Sequence, residues 1–200
     1  MIENTILLVL AALPLMGSPG PGTLSITASA SVFGIRRSLW YFTGVNLGTT
    51  GVLLMVATGV SGVLFAIPGV LPVISVAALC YILYLAYKIA TAPVLGDGAG
   101  DQAPPSFVGG FALAISNPKA FAAIGAAYSS VIILPEQPIL DAAVKLATLV
   151  CVILAVHTTW LVLGSSLARV LRHPRTGRVI NIVFAVLLVI SVAIAGWGLL

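Results

Sequence analysis

The sequence predicts an all-α membrane protein whose six transmembrane helices form two inverted three-helix repeats, with helices 1 and 4 broken. Three observations carry this expectation. Of 200 residues, 60% are hydrophobic and 7% charged, against roughly a quarter charged in a soluble domain. Gly17-Ser18-Pro19-Gly20-Pro21-Gly22-Thr23 sets two prolines and three glycines inside an uncharged run from Asn4 to Ile35. A second interruption, Ser116-Asn117-Pro118-Lys119, falls about half a chain later.

The first span is expected over residues 4–33, long enough to cross about 30 Å of hydrocarbon with a non-helical interruption inside it. Met1-Ile2-Glu3-Asn4 carries no positive charge and the apolar run resumes after Pro21, so the segment reads as retained and not as a cleaved signal peptide. Proline removes a backbone donor and clashes with the preceding turn, and each glycine weakens helix by about 1 kcal/mol, so the helix breaks at residues 17–22. Gly34-Ile35-Arg36-Arg37 ends it. Fifty uncharged residues then separate Arg37 from Lys88, room for two spans, 39–66 and 73–89, turned at Ile67-Pro68-Gly69-Val70-Leu71-Pro72. Residues 1–92 form the first repeat.

The polar linker 93–106 contains three prolines, three glycines, Asp97 and Asp101. The second repeat, 107–200, holds spans at 107–134, 140–167 and 179–200, the first interrupted at Asn117-Pro118. Arg36, Arg37, Lys88, Arg169, Arg172, Arg175 and Arg178 all fall at one set of ends. Cytoplasmic loops carry excess Lys and Arg, so this places both termini outside, N-out and C-out, in a multi-pass protein of the cytoplasmic membrane.

Three spans per half is an odd number, so the halves cross in opposite senses. Asn46, Thr49 and Thr50 in the second span have a counterpart in His157, Thr158 and Thr159 of the fifth. Proline- or glycine-interrupted segments in matching places of two halves point to a transporter's binding site.

Pro19-Gly20-Pro21-Gly22, Gly34-Ile35-Arg36-Arg37, the Gly44, Gly48, Gly51 series, Tyr81-Ile82-Leu83-Tyr84-Leu85-Ala86-Tyr87-Lys88 and Asn117-Pro118-Lys119-Ala120 together resemble the LysE/RhtB family of amino-acid exporters. The resemblance covers nearly the whole chain. It implies efflux of amino acids or related small metabolites, driven by the proton gradient. Residues 128–137 depart from the pattern, lacking its Phe-rich stretch ending in Pro-Gln-Phe.

The candidate substrate-binding residues are Pro19, Gly20, Pro21, Gly22, Thr23, Asn46, Asn117, Pro118 and Lys119. A helix N-terminus carries roughly half a positive charge and free N–H groups, which favour a carboxylate. The bland alternative is a kink satisfied by neighbouring helices. Lys119 reads as the only charge well inside a span, where insertion costs roughly 2.5–3.5 kcal/mol. Two partners could compensate it: carbonyls near Leu113 to Ser116, or a substrate carboxylate. His157 is the candidate proton carrier, since imidazole titrates near neutral pH, or else a hydrogen-bonded structural histidine. Asp141 reads as too near the outer end of its span to relay protons. Gly44, Gly48 and Gly51 suggest a packing face, Tyr81, Tyr84 and Tyr87 interfacial anchors, and Cys80 and Cys151 buried small hydrophobes.

Other classes fit less well. A metal-cation exporter would need ligands, and two histidines with no deep carboxylate offer no cage. No HExxH, GxSxG or clustered His/Asp set supports an enzyme. A non-transporting membrane scaffold would leave Pro21 and Pro118 without an accessible cavity. A net charge of +4 from scattered cations excludes a nucleic-acid surface. The expected partners are a small-molecule substrate, membrane lipid and a second copy in a homodimer, with no cofactor and no metal.

Overall fold

The computed structural model describes residues 1–91, 103–167 and 174–197. The linker expected at 93–106 therefore lies mostly outside the described residues, as do Arg169 and Arg172. Among the described residues every regular element is a helix: α1 (Ile2–Gly17), α2 (Pro21–Ala57), α3 (Val60–Ala66), α4 (Val70–Ala90), α5 (Phe107–Ile115), α6 (Pro118–Ser130), α7 (Pro138–Leu167) and α8 (Pro174–Trp197). Two of these, α2 and α7, are long and apolar enough to cross a membrane. The pair α5 and α6, bent by 60° at its break, would make a third span.

Both expected breaks are present, between α1 and α2 and between α5 and α6. Two expected boundaries shift. Gly34 takes a left-handed φ of 76° and helix resumes immediately, so Arg36 and Arg37 sit in a helical turn where a loop was expected. Only glycine enters that region without a Cβ penalty, which lets one residue do the work of a loop. At the other end, α2 stops at Ala57 instead of Ala66 because Gly59, with φ 73°, interrupts the helix before α3.

Among the described residues the apolar core forms two large clusters, with Val32 and Phe33 as a small third. One joins residues 24–30 of α2 to Tyr41, Val45, α4, α5 and α8. The other joins α1, Val52 and Leu53 of α2, α6 and α7. All of residues 21–33 are buried, so this half of α2 is the central post of the molecule. Glycines let neighbours approach it and its continuation closely. A Cβ on Gly44 would overlap the Phe107 carbonyl oxygen, one on Gly48 would lie 2.7 Å from Ala114 Cβ, and one on Gly164 would overlap the Thr27 carbonyl oxygen. Gly51 makes only an ordinary contact with Ile115.

Cys80 and Cys151 face outward from their helices, which corrects the expectation of burial: each lies on an apolar helix surface, where an apolar run says nothing about which side faces the bundle. Tyr84 and Tyr87 are exposed, whereas Tyr81 turns partly inward. Arg178 Nη1 donates to the Ala90 carbonyl at 3.0 Å, tying the start of α8 to the end of α4.

Candidate functional site

The first break leaves the last carbonyls of α1 without intrahelical partners. Side chains from the second half of the chain take them. Trp160 Nε1 donates to the Gly17 carbonyl at 3.1 Å. Lys119 Nζ donates to the Ser18 carbonyl at 2.5 Å and to the Pro19 carbonyl at 3.0 Å. On the far side of the break, Thr23 Oγ1 accepts from the Gly20 N–H at 2.9 Å, and Pro21 opens α2. Proline suits this first position because its missing N–H would have had no acceptor there.

The second break is capped more simply. Asn117 Oδ1 accepts from the Lys119 N–H at 3.1 Å, and Pro118 opens α6. Ser116 Oγ turns back to the Ala112 carbonyl at 2.6 Å.

The two breaks lie against each other. A Cβ on Gly20 would stand 2.6 Å from Lys119 Cδ, and one on Gly22 would stand 3.8 Å from Asn117 Nδ2. The absence of a side chain at Gly20 is therefore what lets Lys119 cross to the carbonyls. Lys119 was expected to use either the carbonyls near Leu113 to Ser116 or a solute. Its protein partners are instead Ser18 and Pro19, since the carbonyl end of the opposing helix lies within reach of a side chain that leaves α6 at its first turn.

Around this junction lies a cavity of about 40 Å³, lined by Gly20, Gly22, Thr23, Asn117, Lys119 and His157, with Thr49 and apolar side chains of α1, α6 and α7 completing it. Among the described residues, no carboxylate lines it. With the N-terminal ends of α2 and α6 and one ammonium beside it, the cavity is electropositive. It has room for a few waters. A cavity of about 150 Å³ is known to hold a benzene ring, and this space is well below that size.

His157 is buried and its Nδ1 lies 3.1 Å from Asn46 Oδ1. Asn46 Nδ2 in turn donates to the Phe42 carbonyl at 2.8 Å. Asn46 thus stands behind His157, which itself lines the cavity. Of the candidate residues, Pro19 contributes a carbonyl, Pro21 and Pro118 shape the two helix starts, and the rest reach the cavity directly or through this one bond.

Lys145 was missed from the sequence. It is 5% exposed, seven residues into α7, so Lys119 is not the only cation inside the bundle. Its Nζ pairs with Asp141 Oδ2 at 2.9 Å and lies 5.1 Å from the Tyr128 ring centroid. Asp141 Oδ1 accepts from the Ile133 and Leu134 N–H groups at 2.6 and 2.9 Å. The i, i+4 spacing of Asp141 and Lys145 was the available signal. This pair pins the 131–137 segment and does not line the cavity. Among the described residues, no three His, Cys, Asp or Glu side chains are grouped to hold a metal ion.

Residues 13–195 match the family model of the LysE type translocator. The chain is also similar to the cysteine/O-acetylserine efflux protein of Escherichia coli K12, at 36% identity over 175 residues, covering 86% of this chain and 87% of the relative. Its counterpart in Shigella flexneri serotype 5b shows the same identity and coverage. The protein of that name from Escherichia coli O1:K1 is 35% identical over 174 residues, again 86% of this chain and 87% of the relative. No solved structure matches. On the family match and these identities, the chain belongs to the LysE type translocator family.

Proposed function

We propose that this translocator exports a small zwitterionic amino acid or close derivative, of the size of cysteine or O-acetylserine, across the cytoplasmic membrane. The observation that carries the reading is the junction of the two helix breaks, with Lys119 of one on the Ser18 and Pro19 carbonyls of the other beside an electropositive cavity. A zwitterion suits this junction at both ends. Its carboxylate can replace the carbonyls as the partner of Lys119, and its ammonium group can take the carbonyls that Lys119 leaves. Neither a simple anion nor a simple cation makes both exchanges.

The reading includes alternating access by two inverted repeats with six spans. Residues near a two-fold axis meet their own counterparts, and two such pairs support this arrangement: Asn46 contacts His157, and the first break contacts the second. The packing of α4 on α8, the last helices of the two halves, agrees with it. His157 at the cavity wall is the proposed proton carrier, and N-out, C-out is the proposed orientation, with the basic helix ends inside and lipid around the exposed apolar faces. One chain holds the whole junction, so a homodimer would pair two complete transport units.

The test is release of cysteine and O-acetylserine from cells with and without the protein, alongside reporter fusions after Arg37 and Arg178. The reading expects faster release and cytoplasmic reporters. Unchanged release of both solutes contradicts the substrate class, and an external reporter contradicts the orientation.

A further inference from the structure

Where α4 and α8 pack together, their side chains leave a groove of about 400 Å³. Small residues set its depth: Ala86 and Ala185 line it and are buried, and a methyl group leaves open the space a longer side chain would fill. Its rims are large and exposed, with Tyr87 on α4 and Ile182 and Val186 on α8. A groove between exposed apolar side chains of two membrane helices opens toward hydrocarbon and not into the bundle. Along α8 it runs from Ile182 to Ile190, about 12 Å.

One end of the groove carries a cation. Arg178 is exposed and lies one turn before Ile182 on α8. Its Nη1 donates to the carbonyl of Ala90, itself a groove residue. A guanidinium has five N–H donors in a fixed fork, so this one bond holds the charge across the mouth and leaves donors for an anion. Among the described residues the ion pair is that of Asp141 and Lys145, and no carboxylate partners Arg178.

Depth and width both suit a lipid. From Arg178 to Ile190 is about 18 Å along the helix, against about 15 Å for one leaflet of the hydrocarbon core. Tyr87, on the rim near Ala90, then falls near the headgroups, where amphipathic rings collect. A volume of about 400 Å³ spread over about 12 Å gives a cross-section of roughly 30 Å², whereas a helix 10–12 Å across needs roughly 80 Å² or more. A hydrocarbon chain enters such a space, and a helix of a second copy does not.

We propose that the groove between α4 and α8 is a binding site for one anionic phospholipid, with an acyl chain along the groove and the phosphate on Arg178. Basic pockets between membrane helices take such headgroups. In the orientation proposed above the mouth lies in the cytoplasmic leaflet, but the site depends neither on that orientation nor on the solute. A lipid held there touches the last helix of each half of the chain and steadies their packing.

The experiment is native mass spectrometry of the purified full chain in a mild detergent, with dioleoyl phosphatidylglycerol or dioleoyl phosphatidylcholine added. The wild type should retain one phosphatidylglycerol at least about fivefold more than phosphatidylcholine, the preference expected of one cation at an anionic headgroup. Arg178→Gln should bring the two lipids level, whereas Arg178→Lys keeps the charge and should keep most of the preference. Val186→Trp, at a half-exposed rim position, should reduce retention of both lipids. Thermal unfolding in detergent alone establishes first that each variant is folded. Equal retention of the two lipids by the wild type, or an undiminished preference in Arg178→Gln, overturns the proposal. A dimer that Val186→Trp dissociates while lipid retention persists would give the groove to a second copy and overturn it as well.

Discussion

The ammonium of Lys119 rests 2.5 Å from the carbonyl of Ser18, a residue 101 positions earlier. The bond joins the first turn of one broken helix to the last turn of the other. It places a full positive charge against the negative end of α1, which offsets the position of Lys119 at the positive end of α6. In the proposed export cycle, a solute that takes Lys119 away from Ser18 also releases one of the contacts between the two halves of the chain.

Gly20→Ala tests whether the crossing of Lys119 matters. Gly20 has an extended backbone, φ −169°, which alanine adopts freely, so the change acts only through the Cβ that would meet Lys119 Cδ. Displacing the ammonium from its carbonyls costs about 1.5–3 kcal/mol as a charged hydrogen bond. Export should fall about tenfold while the protein still inserts. Unaltered export would show that Lys119 can find another path to its partners.

The glycine face of α2 gives a stability prediction. Gly44→Ala and Gly48→Ala press a methyl into the backbone or Cβ of α5, and overpacking of this kind costs about 1–3 kcal/mol. Gly51→Ala meets only Ile115 Cδ1 at 3.8 Å and should be neutral. Thermal unfolding in detergent separates the three variants. A loss at Gly51 as large as at Gly44 would contradict the packing account.

Much of this site was legible in the sequence, because proline and glycine act on the backbone wherever they fall. The breaks at residues 18–20 and at Asn117, and the glycine face, followed from local chemistry. Which carbonyl Lys119 reaches was not legible, since it depends on how α6 docks against α1. The burial of Lys145 is not legible either, since it depends on Asp141 pairing with it inside the bundle.

Asp141 and Lys145 should behave as a buried pair. Asp141→Ala leaves Lys145 enclosed and unpaired and releases the N–H groups of Ile133 and Leu134, a loss of about 3–5 kcal/mol. Adding Lys145→Met removes the orphan charge and should restore much of the thermal stability. If the double variant is no more stable than the single one, the carboxylate acts through the backbone alone.

His157→Gln keeps a polar group facing Asn46 and removes a titratable one. If His157 carries the proton, vesicles bearing this variant should still move solute down its own gradient, within about threefold of wild type, but without response to an imposed pH gradient. An undiminished response would assign proton coupling elsewhere.

The central claim is that Lys119 exchanges backbone carbonyls for a solute carboxylate, and its most direct test is export per folded molecule in Lys119→Ala and Lys119→Arg. The account predicts that alanine reduces export at least about a hundredfold at matched amounts of folded protein, the loss of a charge-assisted contact where little water screens it. Arginine should recover only part, because a planar guanidinium does not fit a space filled by a compact ammonium. Wild-type export per folded molecule in Lys119→Ala, with only the amount or thermal stability of the protein reduced, would contradict the account and leave Lys119 as a tether between two helices.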